Sequence, residues 1–264
     1  MANDKKSSAK ETANKPAKES RHVVIYGYTK EELRSLMKHF ESQLPDFVKI
    51  SIDTDNLVTR ITLTGVDSGV ELLRFRMNKY HQNLKDLFSE EIVTTSDKSV
   101  SQVLGDLLAE RELTVSCAES CTGGNIAHKI TENPGSSAYF LGSVVSYSND
   151  VKAAVLDVSR NDLGRYGAVS RQVVEQMARG VSALMHSDCA MATSGIAGPD
   201  GGSKFKPVGT VWMAAGYGGK FVTELKQFKG DRKSVIESAT NHVMVMLIKL
   251  LRNNYVEQEE INDD

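Results

Sequence analysis

Hydrophobic and polar positions follow two regular periods between residues 22 and 95, and together they predict a small α+β module. Strands are indicated where apolar residues alternate with polar ones or form short runs, at residues 22–28, 47–53, 57–64 and 91–95. Amphipathic helices are indicated where apolar residues recur every three or four positions, at residues 30–43 and 68–88. The order β-α-β-β-α-β is that of a split-βαβ, ferredoxin-like module.

Beyond a short polar link at residues 96–98, strands and helices alternate, which is typical of a layered α/β domain. The predicted strands are residues 113–118, 143–147, 189–193, 210–216 and 221–228. The predicted helices are residues 99–112, 122–132, 150–156, 170–186 and 231–255. We therefore expect an α/β/α catalytic domain with a mixed sheet over residues 96–255.

Both ends of the chain are predicted to lie outside these two units. Residues 1–21 are rich in Lys, Ser, Ala, Glu and Asn, and they hold too little apolar surface to offset the entropy lost on ordering. We expect a disordered tail there and an acidic tail at residues 256–264.

The apolar pattern and the cysteines indicate the cellular compartment of the protein. No apolar stretch approaches the roughly 20 residues that a membrane-spanning helix needs, and residues 1–6 lack the apolar centre of a secretory signal. Three cysteines are too few for a disulfide framework and suit a reducing compartment. These features predict a cytoplasmic protein that is not bound to a membrane.

The charge balance argues against a protein that works by neutralising nucleic acid. The 32 Lys and Arg residues are offset by 34 Asp and Glu residues, which leaves a formal net charge of −2. The small module also lacks a Gly-x-x-Gly backbone clamp and a pair of aromatic residues for stacking bases. A spacer or dimerisation role is favoured for residues 22–95, and nucleic-acid binding is not expected.

The first segment with candidate chemistry is Ala118-Glu-Ser-Cys-Thr-Gly-Gly124, where a strand leads through a turn into a helix. Amides at the start of a helix are unpaired, and they favour an anion or an oxyanion. Ser120 in that position has the surroundings of a nucleophile. A plain helix cap by Ser120 or Thr122 accounts for the same residues, and for this segment alone it is the commoner explanation.

The second segment is Ser143-Val-Val-Ser-Tyr-Ser-Asn-Asp-Val-Lys152, which places Tyr147 at the tip of a strand and Lys152 in the next turn. A desolvated Lys loses its proton easily and can serve as the base for a nucleophilic Ser. A surface Lys on a helix is the alternative for this segment taken alone.

The third segment is a glycine-rich loop, residues 192–202, that follows an apolar strand where α/β sheets usually bind ligands. It matches neither a Walker A motif nor a dinucleotide fingerprint, so phosphate binding and simple tight turns account for it equally well. Arg232 opens the last helix, and it is either a clamp for a phosphate or carboxylate or an ordinary surface residue. No Cys/His spacing marks a zinc site around Cys121 and His128. Cys117 and Cys189 are expected in the core.

Six segments in combination closely resemble the CinA C-terminal domain family over about residues 99–251. They are Ala118-Glu-Ser-Cys-Thr-Gly-Gly124, Pro134-Gly-Ser-Ser-Ala-Tyr-Phe140, Val145-Ser-Tyr-Ser-Asn149, Gly167-Ala-Val-Ser170, Ser194-Gly-Ile-Ala-Gly-Pro-Asp-Gly-Gly202 and Lys206-Pro-Val-Gly-Thr-Val211. Residues 22–95 look more loosely like the KH-like module that precedes this domain in full-length CinA proteins. The family's larger N-terminal nucleotide-cleaving domain has no counterpart in these segments.

The resemblance implies an activity, because active members of the family are nicotinamide-nucleotide amidases. Such an enzyme hydrolyses the amide of nicotinamide mononucleotide to nicotinate mononucleotide and ammonia, without a metal or an organic cofactor. It implies that Ser120 is the nucleophile, that Lys152 is its base, and that Tyr147 orients or relays the proton. Substrate contacts are expected from Thr122, Gly123, Gly124, Ser194, Gly195, Gly198 and Arg232.

The resemblance also leaves points open. Ser194 stands where the family usually has Thr, a change that keeps the hydroxyl group. A catalytically inactive nucleotide-binding or scaffold protein is the main alternative, and a nucleic-acid-binding protein is a second. Apolar helices together with the family likeness predict self-association, most simply as a dimer.

Overall fold

Two sheets organise residues 16–252, which are the residues that the computed structural model describes. The first unit is formed by β1 (Ala17–Tyr26), α1 (Lys30–Ser42), β2 (Val48–Asp55), β3 (Val58–Asp67), α2 (Val70–Leu87) and β4 (Ile92–Thr94). Its strands are antiparallel in the order β2-β3-β1-β4. Because α1 connects two strands that flank β3, the unit has the predicted split-βαβ arrangement.

Both helices of this unit pack on one face of the first sheet. Alternate strand residues such as Val23, Ile25, Ile61 and Leu63 are fully buried beneath apolar residues of α1 and α2. Helix α1 begins with a reciprocal cap, since Thr29 accepts a hydrogen bond from the Glu32 amide and the Glu32 side chain accepts one from the Thr29 amide. Such a reciprocal cap satisfies two amides that the helix leaves unpaired.

The expectation of disorder is wrong for residues 17–21, which form the first half of β1. They pair with residues 63–67 of β3, so the backbone hydrogen bonds of the ladder order a polar segment that has no apolar pattern. Glu19 adds ion pairs with Arg21 and Arg74, at 3.0 and 2.8 Å. The predicted disorder of residues 1–15 and the acidic tail at 256–264 lie outside the described residues.

The second unit surrounds a five-stranded sheet. Its elements are α3 (Val100–Glu110), β5 (Val115–Glu119), α4 (Asn125–Thr131), β6 (Phe140–Val145), α5 (Asn149–Leu156), α6 (Arg160–Tyr166), α7 (Arg171–Met185), β7 (Cys189–Gly195), β8 (Thr210–Tyr217), β9 (Lys220–Gln227) and α8 (Arg232–Leu251). The order is β6-β5-β7-β8-β9, with β5 parallel to β6 and β7 and the remaining pairs antiparallel. The sheet is therefore mixed, as predicted.

Helices cover both faces of this sheet and form the predicted three layers. One face packs against α7 with the help of α5 and α6, around residues such as Ala118, Val174 and Ala192. The other packs against α8, α3 and α4. Helix α6 was not predicted, because its 7 residues bury only Leu163 and therefore carry no periodic pattern. Strand β6 lies earlier than the predicted residues 143–147, since it ends at Val145 and Tyr147 lies beyond it.

The expectation that no segment is long and apolar enough to span a membrane is wrong for α8. By length and composition alone, this helix could cross a membrane. Within the described residues, 72% of its most apolar window is buried, against β8 and α3 in particular. A helix that is apolar on all sides is what the core of a globular domain requires, and α8 fills that position here.

One hydrophobic cluster is shared by the two units. Val24, Tyr26 and Val93 of the first sheet are buried in the same cluster as the apolar residues of α3 and α8. At this junction, the hydroxyl of Tyr26 lies 2.9 Å from Nδ1 of His242, and the Arg252 guanidinium donates to the Val93 carbonyl at 2.9 Å. The small unit is therefore packed against the larger one through both apolar and polar contacts.

Candidate active site

Ser120 directly follows the carboxyl end of β5, an inner strand of the sheet, where the chain turns into α4. The amide of Ser120 donates to the carbonyl of Thr193 at 3.0 Å, which ties the turn to β7. Gly123 and Gly124 follow with φ angles of 61° and 103°, a region that glycine adopts without the steric penalty of a side chain. The predicted glycine pair is thus needed to reverse the backbone between the strand and the helix.

Lys152 is brought to Ser120 by α5, the helix that follows β6. Its side chain is only 1% exposed, and Nζ lies 3.0 Å from Ser120 Oγ. Two backbone carbonyls complete its surroundings, those of Ser146 at 2.7 Å and Tyr147 at 3.4 Å. The Ser–Lys pair proposed from sequence is therefore assembled from residues 32 positions apart.

The surroundings of Lys152 make its neutral amine easier to form. Burial lowers the pKa of Lys152 below its ordinary value, because desolvation penalises the charged form. The nearby Cys121 thiol raises this pKa to a smaller extent, so burial decides the direction. A neutral amine has two N–H groups and one lone pair. The two carbonyls can accept the N–H groups, which leaves the lone pair for the hydroxyl proton of Ser120.

Glu119 organises the backbone on the other side of Ser120, and sequence analysis assigned it no role. Its carboxylate is fully buried and accepts five hydrogen bonds. The donors are the hydroxyls of Thr122 and Ser143 and the amides of Gly124, Ile126 and Ala127. A Glu at the end of an otherwise apolar strand was the available signal, because a buried carboxylate needs such partners.

The amides directly after Ser120 are candidates for stabilising an oxyanion. The Thr122 amide donates to no acceptor within residues 16–252, whereas the amides of Gly123 and Gly124 donate to Ser120 and Glu119. A donor next to the nucleophile is the usual position for such stabilisation. The Thr122 side chain is already engaged, since its hydroxyl contacts Glu119 and Thr193, each at 2.8 Å.

Tyr147 and Arg232 meet at the exposed side of the site. Tyr147 is 64% exposed, and its hydroxyl accepts a hydrogen bond of 3.4 Å from Arg232. Arg232 is anchored by a second bond of 2.9 Å to the carbonyl of Gly198. The structure thus places the Tyr147 hydroxyl on Arg232, and only the Tyr147 carbonyl contacts Lys152.

The glycine-rich loop contacts its own chain closely. A side chain at Gly195 would meet the Thr210 carbonyl oxygen at 2.6 Å, and one at Gly198 would meet Val208 at 2.5 Å. These two glycines are therefore required for packing against residues 207–211. Ser194 is buried and donates to the Ala168 carbonyl at 2.7 Å. Because Glu119 pairs with Thr193, Ser194 is the position alongside Ser120 on the neighbouring strand.

A groove of about 650 Å³ begins at Arg232 and extends away from the Ser–Lys pair. Its lining includes Asn125, Ala197, Pro199, Val208, Arg232 and Lys233. Neither Ser120 nor Lys152 lines it, but the first turn of α4 and Arg232 connect it with the turn that carries Ser120. Asp231 and Glu237 also line the groove, but Asp231 accepts hydrogen bonds from Ser234 and Glu237 lies 3.9 Å from Lys129. The Arg232 end is therefore the part of the groove that is suited to an anionic group.

The cysteines do not compete with Ser120 as nucleophiles. Burial raises the pKa of Cys121 to about 12, so its reactive thiolate form is scarce at neutral pH. Cys117 and Cys189 are fully buried, as predicted. Within the described part of the chain, no group of three His, Cys, Asp or Glu side chains could hold a metal ion.

Comparisons with known proteins agree with this architecture. The profile of the CinA C-terminal domain matches residues 97–251, which is more than half of the chain. A CinA-like protein from Flavobacterium psychrophilum is 37% identical over 236 residues, covering 88% of this chain and 56% of the relative. A nicotinamide-nucleotide amidohydrolase, PncC, from Enterobacter agglomerans is 47% identical over 156 residues, covering 58% of this chain and 95% of the relative.

Solved structures show the same domain. A CinA superfamily protein from Klebsiella pneumoniae has a TM-score of 0.56 and 33% identity, covering 59% of this chain and 99% of that one. A competence/damage-inducible protein from Agrobacterium tumefaciens has a TM-score of 0.56 and 37% identity, and the match covers 58% of this chain and 93% of that one. The chain spans little more than half the length of CinA-like relatives such as those of Flavobacterium psychrophilum and Amoebophilus asiaticus, at 56% and 55%.

Proposed function

This chain belongs to the CinA C-terminal domain family, and we propose that it hydrolyses the amide of nicotinamide mononucleotide to nicotinate mononucleotide and ammonia. The observation that carries the proposal is the buried amine of Lys152, 3.0 Å from the Ser120 hydroxyl and with a lowered pKa. The name of the PncC relative, which shares 47% identity, supports the choice of substrate.

The first half of the reaction is acylation of Ser120. Lys152 Nζ takes the hydroxyl proton while Ser120 Oγ attacks the carboxamide carbon, which gives a tetrahedral intermediate. The free amide of Thr122 is placed to stabilise its negative oxygen. Lys152 then returns the proton to the nitrogen, the carbon–nitrogen bond breaks, and ammonia leaves. The product of this half is an ester on Ser120.

The second half is hydrolysis of that ester. With ammonia gone, Lys152 is neutral again and can take a proton from water as the water oxygen attacks the ester carbon. The bond to Ser120 Oγ breaks, and the proton passes from Lys152 to Ser120. Both halves use one amine that alternates between base and acid, and the lowered pKa of Lys152 makes its neutral form easier to reach.

The substrate's phosphate is proposed to lie in the groove that begins at Arg232. Arg232 and Lys233 supply two positive charges there, beside the carboxylates of Asp231 and Glu237, and the guanidinium is already oriented by the Gly198 carbonyl. Tyr147, whose hydroxyl contacts Arg232, then orients the nucleotide at the mouth of the site. A pre-oriented guanidinium binds phosphate with less entropy loss than a free one.

Self-association of this chain and the absence of a nucleic-acid partner stay predictions.

Ammonia release from nicotinamide mononucleotide tests this function. The parent chain is expected to release ammonia, and Ser120→Ala and Lys152→Ala are expected to lose at least about a thousandfold in kcat, as nucleophile or base removal usually causes. Lys129→Ala, on the exposed side of α4, is a matched control that should keep full activity.

The outcomes separate the two candidate functions. A parent chain that folds but releases no ammonia from any nucleotide amide would favour the binding or scaffold role. Activity that survives in Lys152→Ala would keep the reaction but remove this lysine as the base.

A further inference from the structure

Ser146 carries an unusual hydroxyl. Its side chain is 0% exposed, and within residues 16–252 its Oγ is the only buried side-chain oxygen or nitrogen without a hydrogen-bond partner. A buried polar group without a partner is rare, because it loses its hydrogen bonds to water and gains none in return. The position therefore requires an explanation that the resting structure does not supply.

The backbone of Ser146 connects the two halves of the catalytic site. Its amide donates to the Glu119 carbonyl at 2.8 Å, one residue before the proposed nucleophile. Its carbonyl accepts the shortest of the hydrogen bonds that Lys152 Nζ makes, at 2.7 Å. The backbone of Ser146 is therefore hydrogen-bonded both to the residue before Ser120 and to the amine that is proposed to carry the protons of the reaction.

The other hydroxyls around the site are already engaged. Those of Thr122 and Thr193 contact each other, and that of Ser194 donates to the Ala168 carbonyl. The Ser148 hydroxyl accepts from the Val151 amide as the cap of α5. Within residues 16–252, the hydroxyl of Ser146 differs from these in having no partner, so it is free to accept a hydrogen bond from a reactant.

We propose that Ser146 is a positioning residue for the second half of the reaction, in which its hydroxyl holds the attacking water beside Lys152. The inference rests on the proposed amidase function. While Ser120 carries the acyl group, its oxygen has no proton to offer, so the lone pair of Lys152 is directed to water. That water has two protons, and Lys152 takes one of them. Ser146 Oγ accepts the other in a hydrogen bond and turns the water oxygen towards the ester carbon.

The balance of the step is that of ester hydrolysis. Water oxygen forms a bond to the acyl carbon as Lys152 Nζ takes one water proton. The bond between that carbon and Ser120 Oγ then breaks, and the proton on Lys152 moves to Ser120 Oγ. Ser146 exchanges no proton, so its role is confined to placing the water.

Ser146→Ala tests this role by slowing one half of the reaction and leaving the other intact. We expect kcat with nicotinamide mononucleotide to fall about tenfold and KM to fall by a similar factor, so that kcat/KM, which reports acylation, is nearly unchanged. Mass spectrometry of acid-quenched enzyme should show the ester on Ser120 in a larger fraction of molecules than in the parent. The thermal midpoint should be equal to or above that of the parent, because the variant removes an unpartnered hydroxyl.

Ser116→Ala is the matched control. Ser116 is equally buried on the same strand as Glu119, but its hydroxyl contacts that of Ser187 at 2.6 Å. This variant should lower the thermal midpoint and leave kcat and the ester fraction unchanged. The proposal for Ser146 is overturned if Ser146→Ala keeps the parent's kcat, if kcat falls without accumulation of the ester, or if the variant is destabilised like Ser116→Ala. An inactive parent chain would instead overturn the proposed function itself.

Discussion

Lys152 shows how one side chain gains its chemistry from its position. A lysine amine is ordinarily charged and exposed, yet this one is 1% exposed and faces carbonyl oxygens and a hydroxyl. Carbonyl oxygens accept its N–H groups without supplying a full negative charge. The amine is therefore both held in place and easily deprotonated, since burial lowers its pKa.

The pH dependence of the parent reaction follows from this pKa. Because the neutral amine is the active form, kcat/KM should rise with pH through the lowered pKa of Lys152 and then level off. Lys152→Arg should be inactive at every pH, because the guanidinium keeps its proton. Rates of ammonia release across about pH 6 to 10 would show this rising limb. A flat profile over that range would argue that another group accepts the proton.

At the scale of elements, the turn from β5 into α4 depends on Glu119. Its two carboxylate oxygens accept three amides and two hydroxyls, so the start of α4 is held against the end of β5. This contact determines where Ser120 and the Thr122 amide lie. A negative group at the start of a helix is also favourable for the helix dipole.

Glu119→Gln should destabilise the protein by about 3 kcal/mol, because either orientation of the amide turns an –NH₂ group towards an N–H donor. Urea unfolding measures this loss. Glu132→Gln, near the other end of α4, is the control, since its surface ion pairs should contribute less than about 1 kcal/mol. Equal stability of the two variants would contradict the role assigned to the Glu119 carboxylate.

The contact between α5 and α7 determines the position of Lys152. A methyl group on Gly180 of α7 would overlap the carbonyl oxygen of Leu156 at the end of α5. Gly180→Ala should therefore push α5 away and cost about 2 kcal/mol of stability. A displacement of Lys152 by about 1 Å would reduce kcat by roughly a hundredfold.

Gly164→Ala is the matched control for that substitution, because a methyl group at Gly164 in α6 meets nothing within 4 Å. It should raise stability by up to about 1 kcal/mol through helix propensity and leave ammonia release unchanged. Thermal unfolding and kcat measured on both variants test the prediction. Full activity in Gly180→Ala would mean that α5 tolerates the shift.

At the scale of the whole molecule, a buried polar chain joins the small unit to the larger one. His242 lies between Tyr26 of β1 and Glu224 of β9, with both contacts at 2.9 Å. Burial lowers the pKa of His242 and outweighs the opposing effect of Glu224. The histidine is therefore neutral at the junction, where a charged ring would be costly.

Stability should fall in acid because of this histidine. In the unfolded chain His242 titrates near 6.5, and in the folded protein it titrates lower, so the unfolded state binds more protons between these values. The free energy of unfolding should decrease as pH falls below 6.5, and less steeply in His242→Gln than in the parent. Urea unfolding at several pH values measures both slopes.

Local pattern was sufficient for most of the fold. The order of elements in both units, apart from α6, and the burial of Cys117 and Cys189 followed from periodicity and residue type. These features depend on neighbours in sequence, which is why the apolar period and cap residues reveal them. The segments around Ser120 and Lys152 could likewise be chosen from their motifs and from the resemblance they carry.

What only the tertiary structure decided is which groups touch. The 3.0 Å contact between Lys152 and Ser120 arises because β6 and β5 are neighbours in the sheet, and no local pattern encodes that register. For the same reason, sequence alone missed the five bonds of Glu119, the contact of the Tyr147 hydroxyl with Arg232 and the ordering of residues 17–21 by β3. A side chain's residue type sets which reactions it can support, and long-range packing sets its partners, its burial and therefore its pKa.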